Sequence, residues 1–70
     1  MNIEVNINYN GNEYISDVIE MNEEENKKLK SIIEKAVAGD VEFFKIENGN
    51  KKYYFGKKIL ENSIITIITK

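Results

Sequence analysis

The chain has 70 residues with 12 acidic side chains, ten Lys and a formal net charge of −2, and it contains no Cys or His. Seventy residues suffice for one small domain, which buries roughly 60% of its unfolded surface, so we predict a single domain over residues 1–70. The absence of Cys and His excludes disulfides, thiolate nucleophiles, Cys-based zinc sites and the commonest transition-metal ligand. Arginine is also absent, so the guanidinium contacts that read phosphate and guanine are not available.

The first part of the chain has the pattern of a β-hairpin. Residues 2–9 alternate between polar and apolar side chains, which is typical of a half-buried strand. Asn10-Gly11 tolerates the positive φ angles of a tight turn and predicts a second strand at residues 13–20. A two-residue loop pairs Ile7 with Tyr14, Val5 with Ser16 and Ile3 with Val18. The opposite register instead buries Ile15 and Ile19, and both registers remain open.

A helix is predicted over residues 23–38. Asn22 is a preferred N-cap, and Glu25, three residues later, can complete a capping box. Gly39 follows at the position where glycine commonly ends a helix. One apolar stripe at helical spacing identifies the buried face: Leu29, Ile32, Ile33, Ala36 and Val37.

A second hairpin is predicted from strands at residues 41–47 and 51–58 around Asn48-Gly49-Asn50. With Gly49-Asn50 in the centre of the turn, apolar residues face each other and opposite charges face each other. The pairs are Ile46 with Tyr53, Phe44 with Phe55, Glu47 with Lys52 and Glu42 with Lys57. Residues 63–69 then form a last strand, which is apolar on both faces.

These elements predict an α+β fold in the order ββαβββ, with an antiparallel sheet of about five strands and one helix on one face. One helix leaves the other face of the sheet open, yet several strands carry apolar residues on both faces. The surplus residues are Ile15, Ile19, Phe43 or Phe44, and either Ile64 and Ile68 or Ile65 and Ile67. Large exposed apolar patches mark interaction sites, so the sheet either curls on itself or packs against a partner or a second copy.

Charge is distributed unevenly along the chain. Residues 1–26 contain seven acids and no base, whereas residues 27–70 contain ten Lys and five acids. Clustered carboxylates can imitate phosphates in a basic groove, and acids are also common at helix N-termini. The candidate acidic binding face consists of Glu13, Asp17, Glu20, Glu23, Glu24 and Glu25.

Residues 51–58, which read Lys-Lys-Tyr-Tyr-Phe-Gly-Lys-Lys, combine lysines with aromatic residues and form the alternative candidate site. Lysines can pair with phosphates while aromatic rings stack on bases. The same pattern also suits an ordinary strand, with the rings in the core and the lysines keeping an edge soluble. The candidate nucleic-acid contacts are Lys51, Lys52, Tyr53, Tyr54, Lys57 and Lys58.

No motif for catalysis, metal binding or a cofactor is present, so we expect a non-enzymatic protein that binds another protein, with no cofactor, no metal and no membrane span. The composition, rich in Ile, Asn and Lys, indicates an AT-rich gene. Together with the acidic first part, it suggests a phage- or mobile-element-encoded inhibitor of a host nuclease or defence complex, similar in role to an anti-CRISPR protein. The alternatives are a nucleic-acid-binding domain and a structural homodimer subunit. The expected location is the cytoplasm, of the host if the gene belongs to a phage.

Overall fold

The computed structural model describes residues 1–70, which form six strands and two helices. The strands are β1 (Asn2–Tyr9), β2 (Asn12–Ile15), β3 (Ile19–Glu20), β4 (Phe43–Asn48), β5 (Lys51–Gly56) and β6 (Ile64–Thr69). The helices are α1 (Glu23–Val37) and α2 (Lys57–Glu61). The predicted α+β class, with antiparallel strands and one main helix, is confirmed. Neither helix is long and apolar enough to cross a membrane.

The strands form two antiparallel sheets rather than the single sheet predicted. In the first sheet β1 is central: β6 pairs with it on one side, and β2 and β3 pair with it on the other. The second sheet is the β4–β5 hairpin. A single backbone hydrogen bond, 2.8 Å from the N–H of Asp17 to the carbonyl of Glu47, joins the two. The strands therefore curl around a shared interior, but the curl does not cover all of the surplus apolar residues: Ile15, Ile19, Phe43 and Ile64 are exposed.

The bend lies where the predicted second strand divides into β2 and β3. Ile7 faces Tyr14 as predicted, but Ile3 faces Ile19 rather than Val18, so one extra residue lies between the two pairs. Such an insertion bends a strand. Ser16 makes it possible because its Oγ, rather than its carbonyl, accepts the N–H of Val5 at 2.8 Å. β2 therefore has the pairing of the first register and β3 that of the opposite register, but Ile15 and Ile19 are exposed rather than buried.

Both Asn-Gly turns are present, and they differ in type. Asn10 and Gly11 are the central residues of the first turn, and both have positive φ (53° and 79°), as in a type I′ turn. In the second turn, Gly49 and Asn50 are central, and Gly49 alone has positive φ (59°), as in type II′.

The start and end of α1 are set by the residues predicted from the sequence. Asn22 and Glu25 form the capping box. At the other end Gly39, with φ 81°, allows the N–H of Asp40 to reach the carbonyl of Lys35 at 2.8 Å, which closes a Schellman motif. The buried stripe is narrower than predicted, because Ile32 and Val37 are exposed and Asn26 is buried instead.

The second hairpin has the predicted register for Phe44 with Phe55, Ile46 with Tyr53 and Glu47 with Lys52. One detail was wrong: residues 57 and 58 start α2 instead of continuing β5, so Lys57 does not pair with Glu42. The carboxylate of Glu47, although it faces Lys52 across the ladder, forms its ion pair with Lys45, at 3.3 Å.

The core lies between one face of the first sheet and a cover made of α1, the β4–β5 hairpin and α2. Each element contributes at least one side chain: Val5, Ile7, Ile33, Ala36, Ile46, Phe55 and Leu60. No element supplies more than two of them, so no part of the chain has a core of its own.

Candidate functional site

A groove of about 380 Å³ lies between the first hairpin and β5, and all four tyrosines of the chain line it. Tyr9 and Tyr14 come from β1 and β2, whereas Tyr53 and Tyr54 come from β5. The remaining lining residues are Asn12, Lys52, Phe55 and Ile59. We call this feature the tyrosine groove.

Aromatic packing fixes the floor of the tyrosine groove. The ring of Tyr14 meets those of Tyr53 and Phe55 edge-on, with centroids 5.4 Å and 5.3 Å apart. Edge-to-face contacts at this distance stabilise aromatic pairs beyond the effect of burial. Tyr14 and Tyr53 are half-buried and Phe55 is buried, so the first hairpin holds the second through these rings.

The groove runs along the free edge of β5. Residues 52–55 are consecutive in a strand, so their side chains point alternately to opposite faces, yet all four line the groove. A groove that touches both faces lies at the strand edge. Asn48 and Lys51 flank a two-residue turn and form a hydrogen-bonded pair, so the N–H and C=O groups of Lys52 and Tyr54 point away from β4.

The rim of the groove offers rings and hydroxyls to a ligand. The side chain of Tyr54 is 62% exposed and its ring lies 6.1 Å from that of Phe43, which is 60% exposed. No hydrogen bond within the chain uses a tyrosine hydroxyl. Tyrosine gives a large amphipathic contact area at a low entropic cost of ordering. The groove can therefore bind by ring contact and by hydrogen bonds together.

Comparison with protein-family models, curated proteins and solved structures found no match for this chain.

The lysines of the basic aromatic hairpin are not gathered at the groove. Only Lys52 lines it, together with the predicted Tyr53 and Tyr54. Lys51 lies beside the turn in β5, and Lys57 and Lys58 lie in α2. On the outer face of the hairpin, Lys45 is paired with Glu47, which removes one further cation from the surface available to phosphate.

The predicted acidic face is divided among several places. Glu13 lies on the open face of the first sheet, where its carboxylate accepts a hydrogen bond from the side chain of Asn6. Asp17 lies at the bend, and its carboxylate oxygens accept the N–H of Gly49 at 3.0 and 3.2 Å. Asp17 therefore supports the second turn. Glu13 and Glu20 lie near opposite ends of β1, about 20 Å apart by strand rise.

The remaining acids are close to the first turn of α1. Glu20 and Glu25 line one hollow with Met1, Met21 and Asn22, and Glu25 is also part of the capping box. Glu23 and Glu24 are exposed in the same helical turn. Only Glu20, Glu23, Glu24 and Glu25 thus remain as a local acidic group. The structure contains no group of three or more acidic side chains placed to hold a metal ion.

A smaller cavity of about 210 Å³ is lined mainly by residues of β1, β3, β4 and α1. Seven of its ten lining residues are hydrophobic, including Ile3, Ile19 and Leu29. Ile19, which lines this cavity, is 47% exposed. The cavity explains where one of the surplus apolar residues lies, and it offers few polar groups to orient a ligand.

Sequence reasoning missed Tyr9 and Tyr14 as site residues. The strand alternation places Tyr9 on the apolar face, and the pairing of Ile7 with Tyr14 places Tyr14 beside it. The sequence does not show which end of the first hairpin contacts β5. That depends on the bend at residues 16–18, which periodicity does not reveal.

Proposed function

We propose that this protein is a binding module rather than an enzyme, and that the tyrosine groove takes an extended segment of a partner protein. The observation that carries the proposal is the convergence of all four tyrosines, from three strands, on one groove. Tyrosine is enriched at protein interfaces and among the residues that contribute most to binding. The outward N–H and C=O groups of Lys52 and Tyr54 can also pair with an extended segment, as in strand addition.

The charges around the groove favour a protein over a nucleic acid. Binding to nucleic acid draws most of its affinity from cations that neutralise phosphates. Lys52 is the one cation among the eight lining residues, and the chain contains no Arg. The net charge of −2 also opposes approach to a polyanion.

For the identity of the partner, we propose a nucleic-acid-processing complex that the protein inhibits. The support is the acidic first part of the chain: seven acids and no base in residues 1–26. Glu20, Glu23, Glu24 and Glu25 remain exposed near the start of α1 and can meet a basic surface. Action in the cytoplasm, of the host if the gene is phage-borne, belongs to the same proposal.

Capture from a lysate of the source or host cell tests the groove. Tyr54→Ser removes a ring that is largely exposed, so the fold should survive. Ile32→Ser is the matched control because Ile32 is 45% exposed in α1 and does not line the groove. We expect a saturable partner whose recovery falls by about 10-fold or more with Tyr54→Ser and is unchanged with Ile32→Ser. Equal recovery with all three proteins would overturn the proposal.

A direct nucleic-acid measurement tests the alternative. Fluorescence anisotropy with a labelled single-stranded DNA of about 20 nucleotides should show no binding near 1 µM at physiological salt. A dissociation constant near 1 µM that rises steeply with salt, together with loss of binding in Lys52→Ala and Tyr54→Ser, would instead favour a nucleic-acid-binding function.

A further inference from the structure

One edge of β6 carries unpaired backbone groups. β6 pairs with β1 alone, and Val5 of β1 lies opposite Ile67. Both backbone groups of Val5 bond to Ser16 on the other side, its N–H at 2.8 Å and its C=O at 2.9 Å. The N–H and C=O of Ile67 therefore point away from β1. Because the antiparallel ladder has a period of two, those of Ile65 and Thr69 do the same.

The alternate residues of β6, whose backbone groups bond to β1, agree with this assignment of the unpaired groups. The N–H of Lys70 donates to the carbonyl of Asn2 at 2.8 Å, so Lys70 belongs to the set of residues that bond to β1. Residues 64, 66 and 68 belong to that set as well. No hydrogen bond outside the strand ladders involves a backbone group of Ile65, Ile67 or Thr69.

The free edge of β6 also lacks the features that prevent edge strands from pairing with other strands. Proteins protect exposed strand edges with charges, prolines or bulges. β6 reads Ile-Ile-Thr-Ile-Ile-Thr, which contains neither charge nor proline, and its pairing with β1 is continuous from Ile64 to Thr69. Such a strand is a template for another strand of the same kind.

We propose that two copies of this chain pair through β6, antiparallel, around a two-fold axis at Ile67. In this register Ile67 faces Ile67 of the second copy, and Ile65 faces its Thr69. Each unpaired N–H then meets an unpaired C=O, which gives six backbone hydrogen bonds and a continuous sheet across both copies. The proposal is independent of the tyrosine groove, which lies at the edge of the other sheet.

The side chains in this register fit a second copy. β6 contains no charged residue, so no like charges face each other between the two copies of the strand. Lys70, which follows β6, lies opposite the uncharged Ile64 of the second copy. The ammonium of Lys70 is already paired with Glu4 at 3.3 Å. The two Lys70 residues of the pair lie six strand positions apart, about 20 Å. The edge of β6 therefore offers complementary backbone groups to the second copy and no like charge that would repel it.

Cysteine crosslinking tests the register, because the chain has no cysteine of its own. Thr66 and Ile68 lie on the open face, and each faces the other across the proposed interface at a non-hydrogen-bonded position, where Cα atoms are about 4.5 Å apart. We expect a mixture of T66C and I68C proteins to form a disulfide-linked dimer under mild oxidation. Either protein alone should form several-fold less, because like positions lie diagonally apart. Equal crosslinking in the mixture and in the single samples would overturn the register.

Sedimentation equilibrium tests the association itself. The native chain should shift from 8.1 kDa towards twice that mass as its concentration rises. Thr69→Pro removes an outward N–H and leaves the ladder to β1 intact, since proline is tolerated at such edge positions. We expect it to weaken the dimer by about 10-fold or more, while circular dichroism shows an unchanged fold. A native chain that stays monomeric at about 0.5 mM, a level at which weak contacts associate, would overturn the proposal.

Discussion

Two asparagines four residues apart in the chain have opposite roles in α1. The side chain of Asn22 accepts the N–H of Glu25 at 2.8 Å, while Glu25 accepts the N–H of Asn22 at 3.1 Å. Asn26 is 8% exposed, and its Oδ1 has no hydrogen-bond partner. Its Nδ2 meets only the sulfur of Met1, at 3.3 Å. The first asparagine satisfies backbone groups that would otherwise lack partners, whereas the second buries a polar atom without compensation.

Substitutions at these two positions should therefore change stability in opposite directions. Asn22→Ala should lower the free energy of unfolding by about 1 kcal/mol, because the N-cap is lost. Asn26→Leu should raise it by about 1 kcal/mol, because an unsatisfied buried oxygen is replaced by an apolar group of similar size. Urea unfolding followed by circular dichroism measures both. A loss of stability with Asn26→Leu equal to that with Asn22→Ala would show that Oδ1 is hydrated in solution.

Asp17, which the sequence suggested as an exposed binding acid, has a structural contact instead: its carboxylate accepts the N–H of Gly49. Asp17→Ala removes the acceptor for the N–H of Gly49 and should cost about 1 kcal/mol, since the bond is charge-assisted but exposed. Asp17→Asn keeps one acceptor oxygen and should cost less. The other aspartate, Asp40, makes no side-chain hydrogen bond or ion pair, so Asp40→Ala is the matched control. Equal unfolding midpoints for Asp17→Ala and Asp40→Ala would contradict a role in the turn.

The short helix α2 contributes more to the core than its five residues suggest. Leu60 is fully buried in the shared core, while its neighbour Ile59 is half-buried at the groove. α2 follows β5 without a loop and packs near the end of α1, where the carboxylate of Glu61 lies close to Gly39. The short helix thus closes the core between the hairpin and α1.

Leu60→Ala should destabilise the protein by about 2–5 kcal/mol, through lost burial and the cavity that remains. A domain of this size has a stability of only several kcal/mol, so the variant should be largely unfolded at 25 °C. Ile64→Ala is the control, because its side chain is 71% exposed, and it should change stability by less than about 0.5 kcal/mol. Near-native thermal unfolding of Leu60→Ala would show that α2 is dispensable to the core.

The elements that could be predicted from the sequence are those specified by neighbouring residues. Asn22 with Glu25, Gly39, and the two Asn-Gly turns act over a few positions, so the helix and both hairpins followed from local rules. The bend at residues 16–18 depends on Ser16 bonding to Val5 and on Asp17 reaching Glu47, 30 positions away. The tyrosine groove depends on that bend, since Tyr14 and Tyr53 meet only when the strands curl. α2 was missed because five residues are too few to show helical periodicity.

The two sheets share one core and should unfold together. Val5 and Ile7 of the first sheet pack in the same cluster as Ile46 and Phe55 of the second. The hydrogen bond from Asp17 to Glu47 and the contacts of Tyr14 with Tyr53 and Phe55 cross between the sheets. If either sheet detached, the buried face of the other would be exposed to water. Unfolding of the two sheets should therefore be one cooperative transition.

The tyrosines make this cooperativity measurable, because the chain has no Trp and its four tyrosines all line the groove between the hairpins. Tyrosine fluorescence therefore reports separation of the two hairpins, whereas far-ultraviolet circular dichroism reports loss of helix and strands. We expect the two urea transitions to coincide, and the amide of Asp17 to exchange with solvent at a free energy of opening close to that of global unfolding. Asp17→Ala should move both transitions equally. A fluorescence change at lower urea than the dichroism change would mean that the β4–β5 hairpin detaches first, and the tyrosine groove would then be assembled by docking of the hairpin rather than by folding of the whole chain.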